Sequence, residues 1–551
     1  MRPRFTLAFL ALSVLLHTSC AGPIAPRYEI QKLEFEVHFI SPAAGEPYLH
    51  VVARYRLRNA GNRALASLRV ALPGATLYSR RNVQYSAGSA APLAVASGNS
   101  SDREVVIPLS QPLPQKQRLD LHLEYDLAPP PPGTSAIAVH ADAFHVVPGT
   151  WLPALLPPGG LLSSGGSPPE KFHLTVFVPA DFRVYCSGRH DKTRRSAGGV
   201  AHRFRFGPGD FSPSVVAGRY HESRHRFAAT DVVFATLEPR ADADFHPAAE
   251  RLALSRLAFQ SAFGRVMEKD RPVVFAESPS ALVPPPSGPA AGGASSRNPE
   301  PSGRGTPHGA PRASFPSRTG FPGGALLNSP VFALGPANDL FLELAERELA
   351  HTWFGGVLRP HPDAAFVLTE GLGGYAFVVA AESRGGPAER TRQIARSLAA
   401  YDFLVRRYGP GAEKTLESDP AAHTSESRLM ADMKSELFFL ALEDEFGRDA
   451  VRRGIARLVA ALRNSPLAQN PTLAGLHDLR AALEAEIPNP PPGPSSPSAV
   501  NSVSADFSRP APAPRTATTA SQTHPVADFF RGWLLHTGIP PGFRARYELQ
   551  P

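Results

Sequence analysis

Cysteine is nearly absent: Cys20 and Cys186 are the only two in 551 residues. That scarcity excludes a disulfide scaffold and any cysteine-rich zinc or iron–sulfur centre. Beyond the first residues no run of 18 consecutive apolar residues occurs, so no segment reads as a membrane-spanning helix. Dense Lys/Arg runs, and basic stripes interleaved with aromatic residues, are missing too. The formal net charge of +8, from 57 basic and 49 acidic residues, is weak evidence for a polyanionic partner, and nucleic acid is set aside. Proline and glycine are plentiful, at 59 and 45 residues, which predicts long irregular segments. An apolar share of 42% nevertheless excludes wholesale disorder, and the length allows two to four domains.

The N-terminus reads as an export signal. A short basic start, with Arg2 and Arg4, precedes a largely apolar run over 5–16, too short to span a bilayer and suited to a secretory core. The small residues before Cys20 resemble the bacterial lipoprotein signal, in which the cysteine is lipidated, although His17 departs from that pattern. An ordinary cleaved signal is the alternative. Either way the mature protein is expected to be exported to the periplasm or cell envelope. Its one expected membrane link is a lipid at Cys20. Cys186, in the strand-like stretch 182–186, reads as a core residue.

The remainder divides in two. Over 28–225 apolar and polar residues alternate, as at Leu33, Phe35, Val37 and Phe39, or Leu119, Leu121, Leu123 and Tyr125, with turn signals between the runs. That pattern predicts an antiparallel β-sandwich over 21–225. From about 246 the period becomes helical. Helices are expected over 248–263, with Leu254, Leu257, Ala258 and Ser261 on the packed face, and over 339–354, 389–408, 432–446, 448–462 and 473–487; one strand is expected over 272–276. Two Pro/Gly/Ser-rich stretches, an insertion at 279–318 and a linker at 488–525, lack the apolar residues to offset ordering entropy and read as disordered. A compact C-terminal segment, 526–551, follows and is expected to pack back on the helical domain, 226–487. The Arg194–Arg195 pair reads as a solvated loop.

One cluster carries chemistry. Around 346–355 the chain reads Glu-Arg-Glu-Leu-Ala-His-Thr-Trp-Phe-Gly, and Glu370-Gly371 follows. On a helix, 347 and 351 share a face with 348 beside them, the geometry in which a zinc hydrolase holds two histidines and a glutamate base. The cluster resembles the membrane alanyl aminopeptidase family of zinc metallopeptidases, the gluzincins. Their pattern is His-Glu-x-x-His, 18 intervening residues and a Glu, flanked by Trp-Phe-Gly and by Glu-Gly with a following aromatic. Here Trp353, Phe354, Gly355, Gly371 and Tyr375 match the flanks. The likeness extends to 151–153, to the strand ending at Pro179, to 215–220, to Met433-Lys434 and the helix up to Gly447, and to 529–541. The stretch 324–328 looks like the strand edging the family's substrate cleft, which makes Gly324, Ala325, Leu327 and Asn328 the implied substrate-binding residues.

The resemblance implies an α+β fold, an N-terminal antiparallel β-sandwich followed by a thermolysin-like, mainly helical domain. It implies His351 and Glu370 as zinc ligands and Glu348 as general base. The departures are specific. Arg347 stands where the first ligand histidine belongs, and a guanidinium is permanently protonated. Leu327 stands where a glutamate grips the substrate amine, and Asp432 where a tyrosine stabilises the oxyanion; a plain N-cap is the alternative reading of Asp432. His361 lies past the helix end at Gly355-Gly356, which read as its C-cap, and is poorly placed to substitute as a ligand. The expectation is therefore a non-catalytic relative, with zinc absent or weakly bound, that keeps a peptide- or protein-binding surface. Arg347 would tie its helix to Glu370. The competing readings are a working metallopeptidase with altered ligands and Glu348 as base, or a structural envelope lipoprotein with a filled cleft. Trp353, Phe354 and Tyr375 read as packing residues rather than substrate contacts.

Overall fold

The computed structural model describes residues 28–71, 80–87, 93–94, 104–127, 137–146, 151–156, 171–196, 198–206, 213–267, 271–278, 320–321, 323–418, 423–464, 473–488 and 524–547. The leader with Cys20, the insertion 279–318 and residues 489–523 lie outside them. The expected α+β class is what the structure shows: sheets first, then a mainly helical region.

In the N-terminal half the alternating runs form an eight-stranded sheet, whose long strands include Tyr28–Ile40, Tyr48–Asn59, Arg118–Leu127 and Lys171–Val178. Its apolar face is closed by a three-stranded and a four-stranded sheet. Leu33, Phe35, Val37, Tyr55 and Leu174 of the first share one core with Leu68, Val70 and Ile107 of the second and with Phe144, Val146 and Val215 of the third. Trp151, fully buried there, donates its indole N–H to Pro213 O at 3.1 Å. The sandwich is not purely antiparallel: Tyr28–Ile40 pairs parallel with Lys171–Val178, from Lys32 opposite Lys171 to His38 opposite Phe177. Cys186 sits at the margin of this core, where enclosure raises its thiol to about 12, so it is held as an unreactive packing group. Arg194 and Arg195 are not in a loop; they belong to the strand Arg189–Ser196 at one edge of the large sheet.

The second half starts earlier than expected. The strand His221–Phe227 already belongs to a separate five-stranded sheet, in the order His221–Phe227, Thr230–Thr236, Val273–Ser278, Gly324–Asn328, Gly320–Phe321. Helix α1 (Asp242–Phe263) connects the parallel pair Thr230–Thr236 and Val273–Ser278. One face of this sheet, through Val233, Ala235, Val274, Ala276 and Leu326, packs on Ala143, Val216 and Tyr220 of the first half. The other, through Phe234, Phe275, Ala325 and Leu327, packs on helices. The packed face of α1 is not the expected one. Leu254 and Leu257 are 42% and 39% exposed, while Phe245, Ala249, Leu252, Arg256, Phe259 and Phe263 are buried. The helix begins six residues before the expected start, which adds Phe245 to the buried face that holds Phe259 and Phe263.

The remaining helices are α2 (Ser329–Ala333), α3 (Asp339–Ala350), α4 (Leu372–Tyr408), α5 (Ser425–Phe446), α6 (Arg448–Asn464), α7 (Leu476–Glu484), α8 (Pro525–Leu534) and α9 (Pro541–Tyr547). α4 is broken at Gly386, whose φ of 70° no helix tolerates, just before Pro387. α8 and α9 return to the helical core, which includes Phe530, Trp533 and Phe543 together with Phe438 of α5. No helix among the described residues is long and apolar enough to cross a membrane.

Candidate functional site

The site is built on α3. Asn338 caps its start, accepting the Leu340 N–H at 2.9 Å, and the helix is rich in strong helix formers. Phe341, Ala345 and Leu349 bury one stripe. The helix stops sooner than the sequence suggests. His351 is its C-cap, and Gly355, with φ 113°, turns the chain four residues later, so Gly355-Gly356 is not the cap. Trp353 and Phe354 are fully buried; Trp353 donates to Gly264 O at 2.8 Å and packs edge-on against Phe259. Both are packing residues. So is Tyr375, whose hydroxyl donates to Glu443 at 2.7 Å.

The structure does gather three of the expected residues. His351 Nδ1 lies 3.4 Å from Glu348 Oε2, and its Nε2 lies 3.9 Å from Glu370 Oε2. Side-chain exposures of 10%, 7% and 20% for His351, Glu348 and Glu370 make Glu370 the most accessible of the three. Glu370 comes from a π-helical turn, Phe366–Gly371, that runs into α4. Such a turn re-aims a side chain relative to a regular helix and is frequent at functional sites. Gly371 permits the arrangement: a Cβ there would stand 2.6 Å from Ser435 Cβ on α5.

Arg347 does not reach Glu370 as expected. Its guanidinium is turned the other way, onto Glu436 of α5 at 2.5 Å and Glu343, one turn earlier on α3, at 3.3 Å. It also lies over the Phe377 ring of α4, 5.2 Å from the centroid. Glu436 is held from its other oxygen by Ser397 at 2.6 Å. Burial alone would lower the Arg347 pKa, but Glu436 and Glu343 outweigh it, and the net shift is upward. The cation is therefore fixed. Gly374 makes room for the pair, since a Cβ on it would stand 2.3 Å from Glu436 Oε2 and 2.6 Å from Arg347 Nη1.

The neighbouring residue, Glu346, is buried and tied to two other helices. It accepts from Arg251 at 2.8 Å and Ser255 at 2.5 Å, both of α1, and pairs with Arg384 of α4 at 2.6 Å. Asp432 is half-buried within α5, one turn before Glu436. It is not an N-cap, because α5 starts at Ser425 and Thr424 caps it. Gly324, Ala325 and Leu327 are buried in the strand Gly324–Asn328, against which α3 packs, and Asn328 is half-buried at its end. His361 is exposed and paired with Asp363 at 3.0 Å.

Glu436, Glu343 and Gly374 were not among the residues singled out from sequence. Glu343 carries a local signal, since a Glu four residues before an Arg pairs along a helix. Glu436 carries a weaker one: a carboxylate immediately before the apolar run 437–442 has to find a partner if it is buried with that run.

These residues do not fit zinc in the manner the resemblance implies. Among the described residues no group of three or more His, Cys, Asp or Glu side chains is disposed to hold a metal ion. His351 and Glu370 offer two donors. At the third position Arg347 has only N–H donors and no lone pair to give, and its charge is committed to Glu436.

No protein-family model matches this chain, and no curated protein matches it by sequence. Solved structures share its fold. The M1 zinc metallopeptidase of Deinococcus radiodurans aligns with TM-score 0.56 and 14% identity over 93% of this chain and 95% of that one. A mutant of that metallopeptidase bound to a Tyr-Ser-Ala substrate aligns with TM-score 0.57 and 15% identity over 94% and 97%. The chain thus shares the fold of these structures over 93% or more of its length.

Proposed function

We propose that this chain is an exported protein of metallopeptidase fold in which zinc-dependent hydrolysis has been given up and peptide binding kept. The observation that carries the reading is the buried Arg347–Glu436 pair at 2.5 Å, a fixed cation where the resemblance implies a metal ligand. A zinc hydrolase obtains its nucleophile by lowering the pKa of bound water from ~15.7 to ~7. Glu348 alone accepts protons but supplies no such activation. Asp432 adds a second obstacle, since a carboxylate repels a developing oxyanion where a donor is worth ~10²–10³ in turnover.

Features suited to holding a peptide remain. The strand Gly324–Asn328 lies beside α3, and among the described residues its outer neighbour pairs only with Gly324 and Ala325. Among the described residues the backbone from Leu326 to Asn328 has no strand partner on that side, which suits pairing with an extended segment. The carboxylates of Glu348 and Glu370 favour a ligand bearing a protonated amine, although Leu327 withholds the expected anchor. Export rests on the leader, with Cys20 either lipidated or removed.

Zinc content of the purified protein tests this directly, with an Arg347→His/Glu436→Ala variant beside it. The expected result is a wild type with little zinc and a variant that takes up about one ion per chain. The wild type should bind short unblocked peptides in a fluorescence titration and return them uncleaved. About one zinc per wild-type chain, with peptide cleavage that Glu348→Gln abolishes, would overturn the reading.

A further inference from the structure

The hairpin formed by strands Arg189–Ser196 and Gly199–Phe206 carries Arg189, Lys192, Arg194, Arg195, Arg203 and Arg205 against the single acidic residue Asp191. Most of the excess charge of the whole chain, +8, is therefore concentrated in this one edge of the large sheet. The register sorts these side chains by face. Phe204 and Phe206 are opposite Leu174 and Phe172 and point into the core, 3% and 5% exposed. Arg203 and Arg205 therefore point outward, and their partners across the hairpin do too: Arg189 stands opposite Arg205, Lys192 opposite Arg203, and Arg194 opposite Ala201.

Five cations thus share one outer face across two strands, and two of the cross-strand pairs are like-charged. Like charges directly opposite each other destabilise a sheet. Asp191, 3.8 Å from Arg203, is one carboxylate among five cations. Elsewhere on the same face the charges are neutralised in place, with Lys32 on Glu34 at 2.9 Å, Arg54 on Glu36 at 2.5 Å and Arg56 on Asp120 at 2.9 Å. The hairpin itself holds six Arg and Lys residues to one carboxylate.

We propose that this face is a docking surface for an anionic lipid bilayer. The complementarity is of charge and shape: the cations lie in the plane of a sheet, at an exposed edge strand, and they meet a flat polyanion together rather than enclosing a small one. Phe204 and Phe206 of the hairpin are turned into the core, so neither offers a platform on which nucleic-acid bases could stack. Arg and Lys at an edge strand also discourage strand-to-strand aggregation. That role requires cations on the edge strand alone and leaves Arg203 and Arg205, on the second strand, without a purpose.

Vesicle co-sedimentation of the full chain tests the proposal, with Cys20→Ala in every sample so that no lipid anchor contributes. The expected result is binding to phosphatidylcholine vesicles containing phosphatidylglycerol, none to phosphatidylcholine alone, and loss of binding as salt is raised. Lys192→Gln/Arg194→Gln/Arg205→Gln should weaken binding roughly hundredfold, at about fivefold per cation. A matched variant in the helical half, Arg406→Gln/Arg407→Gln/Lys414→Gln, removes the same charge from exposed positions and should bind as the wild type does. Equal losses in the two variants would make net charge the cause and sink the proposal. Undiminished binding by the hairpin variant would reduce the cations to edge protection. Binding to poly-glutamate or to single-stranded DNA, with none to anionic vesicles, would overturn the bilayer as the occupant.

Discussion

Replacing Arg347 by methionine removes a charge and keeps most of the side-chain volume. The variant leaves Glu436, with no exposed side-chain surface, without its cation, while Glu343, 4% exposed, keeps only Arg396 at 3.5 Å of its two ion pairs. Removing one partner of a buried pair costs ~3–5 kcal/mol, because the remaining charge is still desolvated. Replacing both partners by apolar groups is often close to neutral. Arg347→Met is therefore expected to lose ~3–5 kcal/mol, Glu436→Leu a similar amount, and the double variant no more than ~2 kcal/mol. Urea denaturation followed by tryptophan fluorescence is the assay. The chain has three tryptophans, and a Trp151→Phe background removes the one in the sandwich. Trp353 and Trp533, both in the helical core, then report the half that contains the pair. An Arg347→Met variant as stable as its parent would refute the structural role of the pair. So would additive losses, since they would show that the two side chains do not depend on each other.

Two further outcomes follow from the same region. Gly374→Ala places a methyl group against the pair, at 2.3 Å from Glu436 Oε2, and should cost ~1–3 kcal/mol by denaturation despite the higher helix propensity of alanine. His423, buried just before the α5 cap and packed 4.7 Å from Phe366, has its pKa lowered, chiefly by burial and further by Arg428 and Lys414, against backbone interactions at Ser427 and Ser418. The unfolded chain then binds the proton more readily, so this residue makes stability fall as pH drops below the unfolded value of about 6.5. His423→Phe should flatten the stability profile between about pH 7 and 5, and an unchanged slope would exclude His423 as its source.

Much of this architecture could be read from the chain itself, because its signals are local. Alternation at 33–39 and 119–125 found long strands, and the spacing from Glu348 through His351 to Glu370 found three side chains that the fold brings together. What could not be read depends on distant partners. Arg347 finds Glu436 from 89 positions away, and nothing within the helix favours that carboxylate over Glu370. The packed face of α1 failed for a related reason. Leu254 and Leu257 are as apolar as the residues that are buried, and the choice between stripes is made by the sheet and by Phe245, Phe259 and Phe263. The end of α3 was misplaced because Trp353 and Phe354 continue the apolar pattern, while Gly355 turns the chain.

The parallel pairing of Tyr28–Ile40 with Lys171–Val178 has a consequence for the order of assembly. The first strand among the described residues lies in the interior of its sheet, with one side sealed by the next strand and the other by a strand that emerges more than a hundred residues later. Until residue 178 is available, that first strand presents an edge of unpaired backbone and an apolar face through Leu33, Phe35 and Val37. Contacts of such separation form slowly, since loop closure has to precede any gain from pairing. Chains interrupted before residue 171 should therefore be sticky rather than partly native. A carrier that keeps the emerging chain extended has a long interval in which to act, and the sandwich closes only when its last third arrives.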